Sequence, residues 1–388
     1  MNARVFAIAL GAVVLAACGN QTARPGASTS PSTRATATAS ASEPLFAVLE
    51  TRRSGVPSWN QSSPDTIAIA GVDGRARAKA TFTPRSLPIV PMAATVLPVQ
   101  ARVAAGAVYF IDGKGVVRRL EPSGSVQAVT TFPITSSQQD VSFAVSPDGN
   151  RLMAAVFTHA SVVPGPSSGP AYIPTGPARL DLEVANAGGS ATTVKHWQGS
   201  ASSQPGPQFH NITMAGWDAV GPIVLADGYE AVQNTMIEGE QWAGGHLARI
   251  GLSGDLGSPI GPAGCQPYSV EQEGDILCLK GTSLNVVSGA GQVLWQVSNV
   301  TAPLSISGGF ALSPEGSQVA MDGLLAGKGG SRTTLAANFS TRGWIDDQTI
   351  IGFVGFGTSR IGIIRASSPT KVEDWGFSGQ YVGRLGST

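Results

Sequence analysis

Four histidines, His159, His196, His210 and His246, and 25 acidic side chains are the groups in this 388-residue chain best suited to moving protons or holding a metal. Zinc sites take His, Cys and carboxylate ligands at short, regular intervals, because one local element must aim several of them at a single ion. No His-x-x-x-His or Cys-x-x-Cys spacing occurs, and no carboxylate stands at such an interval from a histidine. Each histidine therefore reads as a surface or core hydrogen-bonder, no cofactor is indicated, and only a metal site gathered from distant segments stays open. No nucleophile elbow, a Gly-x-Ser-x-Gly set between a strand and a helix, is marked out, nor is a phosphate-binding glycine loop.

Contact chemistry is concentrated in two segments longer than a hairpin turn requires. Residues 228–245, GYEAVQNTMIEGEQWAGG, carry Tyr229, Glu230, Met236, Glu238, Glu240 and Trp242, and run into His246. Aromatic rings offer contact area and carboxylates meet cations or donors, so this is a candidate ligand-binding loop. Residues 163–177, VPGPSSGPAYIPTGP, with Tyr172, form a weaker candidate. The alternative for both is a tolerated surface insertion.

The N-terminal stretch is MNARVFAIALGAVVLAACGN, in which Arg4 precedes an apolar run over 5–17 that is too short to cross a bilayer as a helix. Its end, Leu15-Ala16-Ala17-Cys18, resembles the lipobox of bacterial lipoproteins, where small residues enter the signal peptidase and the cysteine thiol receives diacylglycerol. The resemblance implies a signal peptide over 1–17, lipidation of Cys18, and attachment to a membrane outside the cytoplasm, at the cell surface or the periplasmic face. A plain secretory signal with an incidental cysteine is the alternative. Residues 19–44 are almost all small or polar and cannot offset the entropy of ordering them. With Cys18 they form a disordered tether over 18–44, spanning roughly 25–30 Å as a flexible coil.

With Cys18 given to lipid, Cys265 and Cys278 remain as a pair in an exported chain, where oxidation is expected. Cys265 lies in the turn GPAGCQP and Cys278 in the apolar strand DILCLK, so neighbouring strands could join them in a disulfide. Two separately buried thiols are the other reading.

The elements that must position all of this are strands. No window of a dozen residues shows capped helical periodicity, whereas AVYFIDGKGVVRRLEPSGSVQAVTTF reads as three short strands joined by Asp-Gly and Ser-Gly turns. The same grammar returns in IAIAGVDGRARAKATF, LDLEVANAGGSATTVKHW, HLARIGLSGDLGSPI and SLNVVSGAGQVLWQV. Two further segments, VSFAVSPDGNRLMAA and GGFALSPEGSQVA, set Ser-Pro-Asp/Glu-Gly between an aromatic-led strand and a second strand, with Phe143 and Phe310 in equivalent places. Proline presets φ in that turn, the acid meets nearby amides, and glycine takes the left-handed step.

Repeated hairpins without helices must bury their sheet faces against copies of themselves. The Ser-Pro-Asp-Gly phrase resembles the repeat of TolB-like and WD-repeat β-propellers, and GTSLNVVSGAGQVLWQV is similar to the Gly-x-x-Leu-Trp repeat of other propellers. The resemblance implies an all-β propeller over 45–388, with blades at 45–82, 99–133, 141–197, 212–262, 268–300, 308–338 and 339–375: seven, with six or eight as alternatives. The terminal FSGQYVGRL would pair with the first blade and close the ring. Trp217, Trp344 and Trp59 each precede an apolar run and are expected between blades, with Asp218 and Asp346 as turn hydrogen-bonders.

Charged residues are only 13% of the chain, and 25 basic side chains balance 25 acidic ones, so no basic stripe exists to bind nucleic acid. The expectation is a non-catalytic binding or scaffold module facing an envelope protein, a polymer or a small ligand. The alternative is a propeller enzyme of the lactonase or glutaminyl-cyclase type with an axial metal or acid site; AVYFIDGKGVVRRL resembles a strand pair of sugar-lactonase-like propellers, and the sequence does not mark out which residues would be their metal ligands.

Overall fold

The structure, a computed structural model, describes residues 43–50, 64–84, 101–158, 162–164, 172–174, 177–198, 212–226, 245–272, 274–300, 309–355 and 360–386. Cys18 and residues 19–42 of the tether lie outside them, as do Tyr229, Glu230, Met236, Glu238, Glu240, Trp242, His159, His210 and Trp59, whereas Glu43, expected within the tether, accepts a hydrogen bond from Arg77 Nη2 at 2.7 Å.

Short runs of alternating or wholly apolar residues, broken every few positions by glycine turns, have one good use for their backbone groups, which is antiparallel pairing with the next run. Ala107–Ile111 pairs with Val116–Leu120, which pairs in turn with Val126–Thr131. The outcome is seven four-stranded antiparallel sheets, and every regular element among the described residues is a strand. This is the all-β, seven-bladed propeller.

The innermost strands are Ala101–Ala104 in blade 2, Gln139–Val145 in blade 3, Ile212–Trp217 in blade 4, Gln266–Val270 in blade 5, Phe310–Leu312 in blade 6 and Phe339–Asp346 in blade 7. Blade 1 is built from both ends of the domain: Gln380–Gly386 supplies its inner strand and pairs with Leu45–Glu50, followed by Asp65–Gly71 and Ala76–Phe82. Each inner strand touches the next, and Gln380–Gly386 touches those of blades 7 and 2, which closes the circle.

The core is distributed in the same way. Seven clusters of buried apolar side chains each draw on two adjacent blades, one for each junction of the ring. Phe143, fully buried between blades 2 and 3, contributes about 2–3 kcal/mol by leaving water. Trp344 is buried between blades 6 and 7, and Trp217 packs at the junction of blades 3 and 4.

Both Ser-Pro-Asp/Glu-Gly turns join a first strand to a second, with Gly149 at φ 73° and Gly316 at φ 69° in the left-handed region. The serine is the anchor in each. Ser146 Oγ accepts the Arg151 amide at 2.9 Å, and Ser313 Oγ accepts the Gln318 amide at 3.1 Å. Asp148 also accepts the Asn150 amide, as expected, whereas at the other copy it is Asp347 of blade 7 that accepts the Glu315 amide.

Strand direction gives the ring two distinct faces. Within a blade the first-to-second and third-to-fourth turns lie on one face, called here the hairpin face. The second-to-third turns and the connections between blades lie on the other, the linker face. Leu45 pairs with Gly386, so both ends of the domain emerge on the hairpin face. The long segments after Ala226 and Thr158 are second-to-third connections and leave from the linker face. The one after Thr158 includes a small hairpin, Val162–Pro164 with Tyr172–Pro174.

Candidate functional site

The innermost strand of a blade has a sheet partner on one side only. Its other edge carries backbone groups toward the axis, and unpaired groups there cost free energy unless something meets them. In this ring, side chains from neighbouring blades meet several. Arg102 of blade 2 donates through Nε to the Phe143 carbonyl at 3.1 Å and through Nη2 to the Met214 carbonyl at 2.7 Å. Ser142 Oγ accepts the Met214 amide at 2.9 Å. Trp344 Nε1 donates to the Ala311 carbonyl at 3.0 Å, and Tyr381 Oη donates to the Trp344 carbonyl at 2.6 Å. Asp322 Oδ1 accepts the Thr341 amide at 3.0 Å, and burial pushes its carboxyl above the ordinary value against the pull of that amide and of Arg342.

Glu271 is the member of this set with chemistry left over. It follows the inner strand of blade 5 and opens the turn Glu271–Asp275, with Gly274 at φ 90° and the Gly274 amide donating to the Glu271 carbonyl at 2.9 Å. Ser146 and Ser313 open the corresponding turns of blades 3 and 6 with the same bond, so a carboxylate stands in blade 5 where those blades have a hydroxyl. Oε1 of Glu271 accepts the Ser269 hydroxyl at 2.8 Å and the Leu312 amide of blade 6 at 3.3 Å. Oε2 accepts no hydrogen bond from the described residues.

Burial raises the Glu271 carboxyl to about 7, and the charge of Asp275 adds to the rise. The two hydrogen bonds and the charge of Arg384 work the other way. Arg384 sits on the inner strand of blade 1, across the ring from blade 5, so this attraction runs through the interior. Burial also disfavours charge on Arg384 and drives the Tyr381 phenol well above its usual range. The axial end on the hairpin face therefore holds a carboxyl raised toward neutrality and an arginine whose charge is disfavoured by burial. Such a group of side chains holds or exchanges a proton near neutrality and pairs with polar ligands.

The residues singled out from sequence fall elsewhere. Cys265 and Cys278 form a disulfide at the junction of blades 4 and 5. His246 opens the third strand of blade 4, partly buried and paired with Ala226. His196 Nδ1 lies 2.7 Å from the buried carboxylate of Asp181 on the outer part of blade 3. Asp218 is a turn residue that caps the Val220 and Gly221 amides and forms a two-pronged pair with Arg249. Burial works against its charge, but Arg249 and the two amides hold its carboxyl below the usual value. Asp346 accepts the Gln348 amide in the same manner. Among the described residues, no three His, Cys, Asp or Glu side chains gather where they could hold a metal ion.

Glu271 was missed because its signal is faint. Glu-Gln-Glu-Gly-Asp at 271–275 carries glycine at the fourth place like Ser-Pro-Asp-Gly, and only the alignment of turns in the ring shows that the acid replaces serine.

No protein-family model and no curated protein matches this sequence. Among solved structures the chain is similar to the Dos1 propeller, at 8% identity and a TM-score of 0.42 over 90% of this chain and 86% of that one. It is similar to a protein from Lactobacillus plantarum, at 14% identity and a TM-score of 0.42 over 88% and 98% of the two chains. An oligogalacturonate lyase in complex with manganese aligns at 8% identity and a TM-score of 0.36 over 86% and 78%. The seven-bladed architecture rests on the chain's own sheets and their closure.

Proposed function

We propose that this protein is a lipid-anchored, extracytoplasmic propeller that acts as a non-catalytic binding or scaffold module for an envelope protein, a polymer or a small ligand. The observation that carries the reading is the polarity of the ring. Leu45, next after the tether, starts on the hairpin face, whereas the long segment carrying Tyr229, Glu230, Glu238, Glu240 and Trp242 departs from the linker face. Attachment through the residues before Leu45 and contact through that segment would thus be served from opposite faces of the ring. The Cys265–Cys278 disulfide fits an oxidising compartment outside the cytoplasm. The commitment of Arg102, Ser142, Asp322, Trp344 and Tyr381 to backbone groups of other blades also favours a rigid scaffold.

Two measurements test it. Cys18→Ser should move the protein from the membrane fraction to the soluble extracytoplasmic fraction and abolish labelling by a radioactive fatty acid; a variant that stays membrane-bound sinks the anchor. A thermal-shift screen of glycans and peptides should yield a stabilising ligand lost on removal of residues 229–242. Turnover of a lactone or an N-terminal glutamine peptide that follows a bound metal would replace this reading with the enzymatic one.

A further inference from the structure

We infer that the hairpin face of blades 4 and 5 rests on a lipid bilayer through the exposed side chains of Val220, Leu252, Val293 and Leu294. The inference rests on the lipid-anchored reading and adds to it the surface that meets the lipid. Among the described residues six large apolar side chains are exposed. Five of them, these four and Val126, lie in hairpin-face turns or on the first two strand residues after one. Val163, the sixth, belongs to the small hairpin after Thr158.

The turns do not require these residues. The third-to-fourth turn of every blade closes with one bond, from an amide to the carbonyl three positions before it, as Gly254 donates to Gly251 at 2.8 Å. Its second residue is Leu252 in blade 4 and Val72, Pro122, Ala187, Gly289, Lys328 or Ala366 in the others, and of these only Leu252 is a large apolar side chain left exposed. In the first-to-second turn of blade 4, Asp218 holds the Val220 and Gly221 amides, while the Val220 side chain takes no part and is 76% exposed.

The two blades present these side chains together. Arg249 of blade 4 donates through Nη2 to Asp218 at 2.6 Å and to the Gly289 carbonyl of blade 5 at 2.7 Å, so the segments carrying Val220, Leu252 and Val293 meet at one guanidinium. Nearby charges are matched: Asp218 pairs with Arg249, and Lys195 with Asp255. Paired charges lose water at a lower cost than lone ones.

Four side chains are too few for a stable protein interface, which engages roughly 20–30 residues a side. They suffice against a surface that is already held close. Leu45 emerges on this same face, and on the anchored reading Cys18 and a tether reaching roughly 25–30 Å precede it. A leash of that reach restrains distance and leaves the ring free to turn. Apolar turn tips then decide which face meets the lipid.

Fluorescence of the acylated protein in uncharged phosphatidylcholine vesicles decides it. A nitrobenzoxadiazole label is placed in turn at Val220→Cys, at Leu294→Cys and, in an exposed linker-face turn, at Thr282→Cys. With Cys18 acylated and Cys265 bonded to Cys278, each label has a single target. Doxyl-labelled lipid should quench the first two at least about threefold more than the third, as expected for side chains set into the headgroup boundary. Val220→Asp/Leu294→Asp should remove the quenching of a label at Leu252→Cys while the protein still floats with the vesicles. Should that variant fail to fold, the three single labels still decide. Equal quenching of all three overturns the inference and leaves the anchor standing. Labels at Val220→Cys and Leu294→Cys that are shielded from water yet untouched by doxyl lipid reveal a protein cover, a second copy included, and also overturn it. A protein that does not float with the vesicles overturns the anchored reading itself, and this inference with it.

Discussion

Arg102 Nη2 donates to the carbonyl of Met214 at 2.7 Å, joining the inner strands of blades 2 and 4 past the blade between them. With Nε on the Phe143 carbonyl, one guanidinium ties three blades at the axis. Blades touch mainly through apolar faces that have no preferred register, so directional bonds at the axis set how each sheet stands against the next. Truncating Arg102 leaves two carbonyls to find water in the ring. Arg102→Ala is expected to lower stability by about 2–3 kcal/mol, read from the midpoint of urea unfolding at constant slope. A loss below about 0.5 kcal/mol would show that water replaces the arginine without penalty.

Glu271 makes stability depend on pH in a defined direction. Its carboxyl lies at about 7 in the folded chain against 4.5 for the ordinary group. Stability is therefore fully present below about pH 4.5, falls as the unfolded chain releases its proton first, and levels off above about pH 7, with a total loss of up to about 3 kcal/mol. Urea midpoints taken from pH 4.5 to pH 8 should trace that fall, and Glu271→Gln should flatten it. An unchanged slope in the variant assigns the titration elsewhere.

The two Ser-Pro-Asp/Glu-Gly turns should differ in their tolerance of a side chain. Both glycines have left-handed φ, costing an alanine about 1–2 kcal/mol. A Cβ at Gly149 would also approach Tyr109 Oη to 2.4 Å, whereas at Gly316 the nearest atom is Asp275 Oδ2 at 3.8 Å. Gly149→Ala should thus be the more damaging of the pair by at least about 1 kcal/mol in the same unfolding measurement. Equal losses would mean that Tyr109 moves aside freely.

Reduction of Cys265–Cys278 opens a loop whose ends are 13 positions apart. The unfolded chain gains freedom worth about 3 kcal/mol, so unfolding with and without dithiothreitol should differ by that order. The Cys265→Ser/Cys278→Ser double variant should match the reduced protein and no longer respond to the reagent.

The fold was readable because its determinants are local. Asp112-Gly113, Ser123-Gly124 and Ser146-Pro147-Asp148-Gly149 announce tight turns whatever surrounds them, and a strand beside such a turn pairs with its neighbour. Counting those hairpins leads to seven blades, and the unmatched strand at the C-terminus leads to closure. The candidate site was not readable in the same way. Residues 229–242 attract notice through composition alone, while Glu271 sits in an unremarkable turn.

Composition and turn spacing, by themselves, determined an all-β chain with paired cysteines, no basic surface and a repeated unit too small to bury its own faces. Only closure of the ring decided that Arg102 would reach Met214, that Glu271 would meet Leu312, and that the charge of Glu271 would bear on both Arg384 and the phenol of Tyr381. The reason is geometric. A turn is specified by residues within four positions of one another, whereas the axis brings together side chains more than a hundred residues apart, and no short-range pattern records that distance.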